Sequence, residues 1–374
     1  MSNPLLETYV LPPFSRIKHE HIEPAIDQVL SENKKSIDQI LKDNKTYCWD
    51  NLQHPLEELD VRLGRAWSPV NHLHSVADND ELREAYNRCL PKLTEYTTEL
   101  GQNENLYEAY KQVSESDDYS TLSQSQKKVI TNTLTDFKLS GIGLAENDKQ
   151  KFKQLKQELS RLQTRFEENL LDATQAWTIH FVNKERLNGL PESALAFAAQ
   201  TARQQGKEGW LFTLDFPSYF PVMQYAEDRQ LREEMYYAYV TRASEQGPAG
   251  VDWDNSDLML EIIEVRKKIA ALLGYDTYAE QSLVKKMASD PDEVIRFLED
   301  LSEKSKPVAQ NEYRELVDFA RQQYNVDDLQ AWDLAYYSEL LRQHKFDFSQ
   351  EQLRPYFPVP KVLAGMFKIV QLLT

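Results

Sequence analysis

Residues Asp215–Ser244 read DFPSYFPVMQYAEDRQLREEMYYAYVTRAS. The segment opens on a short run able to form a strand or a turn and continues with the spacing of an amphipathic helix. Tyr219, Tyr225, Tyr236 and Tyr237 are followed by Tyr239, and by Arg242 close to the helix end. A tyrosine is cheap to order and offers an apolar ring with one polar tip, which suits a wall that meets peptide-like material. The same residues also suit a half-buried helix at a domain boundary, because tyrosine is intermediate in burial. Tyr219, Tyr225, Tyr236 and Arg242 are therefore candidates for contact with a ligand or for packing between lobes.

Working outward, most of the chain has helical period. In Phe152–Trp177, apolar residues fall at Phe152, Leu155, Leu159, Leu162, Phe166, Leu170, Ala173 and Trp177, in steps of three and four. This predicts one long helix with a narrow apolar seam, packed within its own chain rather than in a coiled-coil dimer. Earlier helices are expected over Glu23–Leu41, Asn51–Val76, Asp80–Ser114 with a break near Gly101, and Ser123–Leu139. Thr178–Val182 and Trp210–Leu214 are short strand candidates, and Pro191 opens a helix between them. Later helices are expected over Gln230–Ser244, Asp257–Leu273, Tyr278–Met287 and Pro291–Tyr324, the last interrupted at Pro307. The fold class is thus mainly α with one small β-sheet at most. The expected division is an N-terminal helical domain over 1–145, a long helix with short strands over 146–214, and a further helical region over 215–374.

Composition narrows the function classes. Apolar residues at 41% and charged residues at 28% of 374 suit a globular chain with a large core. Only 11 glycines are present, and neither GxGxxG nor GxxxxGK[ST] occurs, so nucleotide binding by those loops is not expected. A net charge of −17 opposes binding to nucleic acid or to anionic lipid. Cys48 and Cys89 form neither a disulfide framework nor a metal-type spacing. The N-terminus lacks the pattern of a signal peptide, and no run of about 18 apolar residues occurs. A cytoplasmic location follows as the expectation.

Several short strings carry a family resemblance. They are Asn3-Pro4-Leu5-Leu6, Leu11–Ser15 (LPPFS), Phe137–Leu144 (FKLSGIGL), Leu171–Thr174 (LDAT), Trp332–Glu339 (WDLAYYSE) and Leu353–Pro358 (LRPYFP), together with the opening tyrosine segment. With these the chain resembles the zinc-dependent oligopeptidases of the thimet oligopeptidase and neurolysin family, along essentially its whole length. The resemblance implies a two-lobed helical architecture around a deep channel that admits only short, unstructured peptides. It adds Asp333, Tyr336 and Tyr337 to the candidate residues. Asp333 is expected to cap the helix that follows it, and the segment is expected to fix a helix of the second lobe.

The family holds zinc with a His-Glu-x-x-His helix and a more distant glutamate. Histidines four apart share one helix face, and the intervening glutamate can activate the zinc-bound water. The seven histidines here are His19, His21, His54, His72, His74, His180 and His344, and no two have that arrangement. His19-Glu20-His21 and the pair His72 and His74 are two apart, which turns them to different sides of a helix. No catalytic or metal-ligating residue is therefore assigned, and the chain by itself is expected to bind no zinc and to be inactive. Adjacent acids such as Glu167-Glu168 and Glu233-Glu234 do not face each other on a helix, and no GxSxG elbow occurs.

In the family the zinc motif lies beyond the point reached by Lys361–Thr374 (KVLAGMFKIVQLLT), an apolar helical pattern with no stop signal. The expectation is the N-terminal half of a longer peptidase, whose partners are short peptide substrates and its own C-terminal half. The alternative is a non-catalytic helical scaffold or peptide-binding module, which would be stable and complete at this length.

Overall fold

A computed structural model describes residues 3–250 and 252–373. In chain order the helices are α1 (His19–Asp43), α2 (His54–Val76), α3 (Asp80–Gly101), α4 (Glu104–Glu115), α5 (Gln124–Leu139) and α6 (Glu146–Ala176). Strand β1 (Thr178–Phe181), α7 (Glu192–Gln204) and β2 (Trp210–Thr213) follow. Then come α8 (Phe216–Tyr225), α9 (Arg229–Val240), α10 (Ser256–Leu272), α11 (Tyr278–Leu283), α12 (Pro291–Tyr324), α13 (Leu334–Phe346), α14 (Gln350–Leu353) and α15 (Val359–Leu373). The fold is mainly α, as the period of the sequence requires. The two strands pair antiparallel, with Thr178 opposite Thr213 and Phe181 opposite Trp210.

Contacts group the chain into two compact units. One comprises Met1–Arg165 with Leu258–Ile295, and the other Phe166–Asp257 with Arg296–Thr374. In the first, α1 packs on α2 and α3 and buries Ile22, Ile26, Val29 and Ile37, which meet Val70, Ala85 and Cys89. The N-terminal half of the long α6 joins this unit. Its Lys153 reaches Glu95 and Glu99 of α3, its Ser160 accepts from Thr94, and Phe152, Leu159 and Leu162 are buried. The apolar seam therefore serves packing within the chain.

The second unit is built on the strand pair and α7–α9. Leu195 and Ala198 of α7, Phe212 of β2, Tyr219, Val222 and Met223 of α8, and Leu231 and Met235 of α9 form one core. Gly209 is obligatory for the entry into β2. Its φ is +89°, and a Cβ there would lie 2.1 Å from the Phe181 carbonyl oxygen.

Three local expectations are corrected. The run after Asp215 is the helix α8, not a strand or turn: Pro217 stands in its first turn, where a fixed φ helps and no N–H is needed. Helix α1 begins at His19, where the Lys18 backbone N–H, which would otherwise be left open at the helix start, donates to Nδ1 of the His21 ring at 3.1 Å. Pro307 does not interrupt α12. The residues around it are exposed, so water can satisfy the carbonyl that loses its helical partner. Exposed apolar side chains remain on α12 (Ile295, Phe297, Leu298, Leu301) and on α15 (Leu363, Met366, Phe367, Val370).

Candidate functional site

The tyrosine segment folds as two consecutive helices. Asp228 starts the second by accepting the Leu231 N–H at 2.9 Å, and Arg186 braces it through Asp228 (2.7 Å) and Glu234. Helix α9 turns Leu231, Arg232, Met235 and Ala238 inward. Its tyrosines occupy the flanks of that buried face.

One group of candidates forms a ladder. The buried Tyr219 ring of α8 stacks on Tyr239 of α9, with centroids 4.0 Å apart and planes 10° apart. The guanidinium of Arg242 lies 3.8 Å over the other partner of this stack, the Tyr239 ring. Burial pushes the Tyr219 phenol up to about 12, helped by the neighbouring Tyr239 and Tyr236 hydroxyls and opposed by Arg242. It is therefore a neutral hydrogen-bond donor across the physiological range. Beside Arg242 lies a cavity of about 140 Å³ walled by Ala173, Trp177 and Trp253 and by the loop that follows α9.

A second group surrounds Asp333, which is fully buried. Its carboxylate accepts from Arg232 at 2.7 Å and from Arg229 at 2.8 and 3.0 Å, and from the Gln330 N–H at 3.0 Å. Burial alone would raise this carboxyl, but the two arginines and the backbone donor outweigh it and hold it below the usual range. Asp333 does not cap α13 as expected; it makes no side-chain cap bond there. Two guanidiniums offer stronger partners than one amide N–H, so its lone pairs go to them. Arg232 also lies 4.2 Å from the Tyr336 ring centre and donates to the Ala226 carbonyl.

The remaining candidates spread around these groups. Tyr236 contacts Trp332, with centroids 6.0 Å apart. Tyr337 is buried against Tyr324 and Tyr336, in a small core with Leu316 and Ala320. Burial raises the phenols of Tyr225, Tyr336 and Tyr337. Tyr219 and Arg242 thus share one ladder, Asp333 and Tyr336 share the Arg232 cluster, and Tyr225 belongs to neither. Sequence reading overlooked Arg232 and Glu339. Glu339 is buried and bonded by Gln224 and Gln343 and paired with Arg342. The signal for Arg232 was available: a lone charge on the apolar face of an amphipathic helix must find a buried counter-charge. Among the described residues, no three or more His, Cys, Asp or Glu side chains are grouped so as to hold a metal ion.

The profile of peptidase family M3 matches residues 222–373, and that of the neurolysin/thimet oligopeptidase N-terminal domain matches residues 26–150. The chain belongs to peptidase family M3. Within M3 it is 47% identical to oligopeptidase A of Salmonella typhimurium over 371 residues, 99% of this chain and 55% of that protein. It is 48% identical to oligopeptidase A of Haemophilus influenzae, over 99% of this chain and 54% of that protein. A probable cytosolic oligopeptidase A of Arabidopsis thaliana is 38% identical over 100% of this chain and 53% of its own length. The M3 chain spans about half the length of the curated relatives it matches.

Proposed function

We propose that this chain is the N-terminal portion of a zinc metalloendopeptidase that hydrolyses short peptides. In this reading it supplies one wall of the substrate channel and leaves the zinc site to the rest of the enzyme. The observation that carries the reading is the 47% identity with oligopeptidase A over 99% of the chain, at only 55% of that protein's length. Residues 1–145 then form an N-terminal helical domain, 146–214 a linking helix with strands, and 215–374 the start of the catalytic lobe. The described residues do not fit a zinc site, since no ligand cluster occurs among them, so no step of zinc chemistry is assigned to them. The water-activating His-Glu-x-x-His helix would come from the C-terminal half.

Within this reading the candidate residues divide by burial. Tyr219, Asp333 and Tyr337 are buried and hold helices of the catalytic lobe together, while Arg242, half-exposed at the end of the aromatic ladder, is free to meet a peptide. The exposed apolar side chains of α15 (Phe367 at 59%, Met366 at 47%) support a partner surface there, because contiguous apolar patches of this kind seek cover. No helix among the described residues is long and apolar enough to cross a membrane; a cytoplasmic site of action goes with the peptidase reading.

The test is an assay of short internally quenched peptides with this chain, with a separately made C-terminal half, and with both in the presence of zinc. Cleavage is expected from the mixture only, and it should be abolished by a chelator. Robust chelator-sensitive cleavage by this chain alone would overturn the assignment of the zinc site to the other half.

A further inference from the structure

Arg242 lies just beyond α9, held flat by its stacking on Tyr239. In the same unit Arg186, Arg229, Arg232 and Arg342 each grip a carboxylate. Arg242 makes no hydrogen bond or ion pair with any described residue, in a chain with 60 acidic against 43 basic side chains. A stacked guanidinium is pre-organised: its plane is fixed while its N–H fork stays unused, so little further entropy is lost when an anion arrives.

The cavity beside it is about 140 Å³, near the ~150 Å³ of an apolar cavity known to take up benzene. Trp177, Trp253, Ala173, Pro248 and Ala249 give it a largely apolar wall. The two ends of its loop are tied together. The Asn255 N–H donates to the Ala243 carbonyl at 3.0 Å, and the buried Asn255 side chain is tied to Asn169 and to the Phe166 carbonyl. Ala243 itself is held at φ +54°, a left-handed conformation that costs a residue with a Cβ about 1–2 kcal/mol. Strain retained by a braced loop is characteristic of ligand-binding segments.

We propose that this cavity is a carboxylate-directed subsite. It takes one compact apolar side chain between Trp177 and Trp253, while Arg242 binds a carboxylate on or next to the residue bearing that side chain. Two peptide sources share this chemistry: the free C-terminus of a peptide ending in an apolar residue, and an acidic side chain adjoining an apolar one. The apolar group is desolvated against the tryptophans, and the carboxylate gains charge-assisted bonds from the Arg242 fork. The peptide nature of the ligand rests on the proposed peptidase reading; binding to the isolated chain does not, and it is measured without turnover.

The experiment titrates the purified 374-residue chain by calorimetry and ligand-observed NMR with N-acetyl-leucine, N-acetyl-leucinamide and the blocked dipeptide N-acetyl-Asp-Leu-amide. At least one carboxylate probe is expected to bind saturably, and N-acetyl-leucinamide about tenfold or more weaker, the scale of one lost charge-assisted bond. A preference for N-acetyl-leucine assigns the carboxylate to a peptide C-terminus, and a preference for the dipeptide assigns it to a side chain. Arg242→Gln should bring the carboxylate probes down to the level of the amide, and Ala249→Leu, which fills the cavity, should weaken all three. Arg242→Lys keeps the charge without the planar fork and should fall between. Circular dichroism confirms that each variant is folded. Equal affinity for N-acetyl-leucine and its amide, no saturable binding of either carboxylate probe, or binding untouched by Arg242→Gln in a folded protein would overturn the subsite. None of these results bears on whether a C-terminal half restores cleavage, so the subsite and the peptidase reading can fail separately.

Discussion

Replacing Asp333 by Asn removes one charge from the second unit and almost no volume. In the native protein Arg232 is 1% exposed and Asp333 fully buried, with their atoms 2.7 Å apart. The amide oxygen of Asn can accept one of the arginine bonds, but it leaves a guanidinium charge stranded in the core. Arg229, whose side chain is 42% exposed, can turn toward water and so adds little to the loss. Breaking a buried pair from one side costs about 3–5 kcal/mol; with one bond kept by Asn, the lower end applies. At about 2–4 °C per kcal/mol for a unit of ~150–250 residues, a loss of ~3 kcal/mol lowers the melting temperature of this unit by about 6–12 °C. Differential scanning calorimetry is the assay. The double variant Arg232→Met with Asp333→Leu should cost less than Asp333→Asn alone, because no lone charge remains. A loss under about 1 kcal/mol for Asp333→Asn, or a double variant worse than the sum of its singles, would refute the reasoning.

The same pair sets an acid limb. The folded carboxyl of Asp333 lies below its unfolded value, so its contribution is fully present above about pH 4 and is lost as pH falls through the folded value; the stability gap between wild type and Asp333→Asn should therefore narrow on acidification, and a gap constant down to about pH 2 would count against it. Gly209→Ala, at φ +89° with its new Cβ against the Phe181 carbonyl, should cost about 2 kcal/mol or more and loosen the strand pair, as read by amide exchange of Phe181 and Trp210. Burial holds the Cys89 thiol up to about 12, so it should resist thiol reagents at pH 8 while the half-buried Cys48 reacts, and mass spectrometry of the labelled peptides will show which is modified. Changing Leu363, Phe367 and Val370 to Ser should lower self-association of the chain in analytical ultracentrifugation without shifting its helix content, since all three are exposed.

The periodicity of Phe152–Trp177 was enough to specify α6, because a three/four repeat of apolar residues has one helical solution and one face to bury. The strand pair was equally legible, as short β-rich runs bounded by Gly209 and by charge. The family, too, was readable from short strings spread along the chain, and the two profile matches contain Phe137–Leu144, Trp332–Glu339 and Leu353–Pro358. What sequence left open were matters of partnership. Nothing local says that Asp333 abandons its own helix for two arginines about a hundred positions earlier, since capping is a neighbour effect while charge pairing is decided by which helices meet. Likewise the tyrosines of Asp215–Ser244 read equally as a ligand-facing wall or as a half-buried helix, and it is the packing of α8 on α9 that selects Tyr219 and Tyr239 for the stack and leaves Tyr237 in solvent. The helical period fixes which side chains share a face; only the tertiary contacts decide what that face touches, and so whether a polar tip is a brace for the core or a hand held out to a ligand.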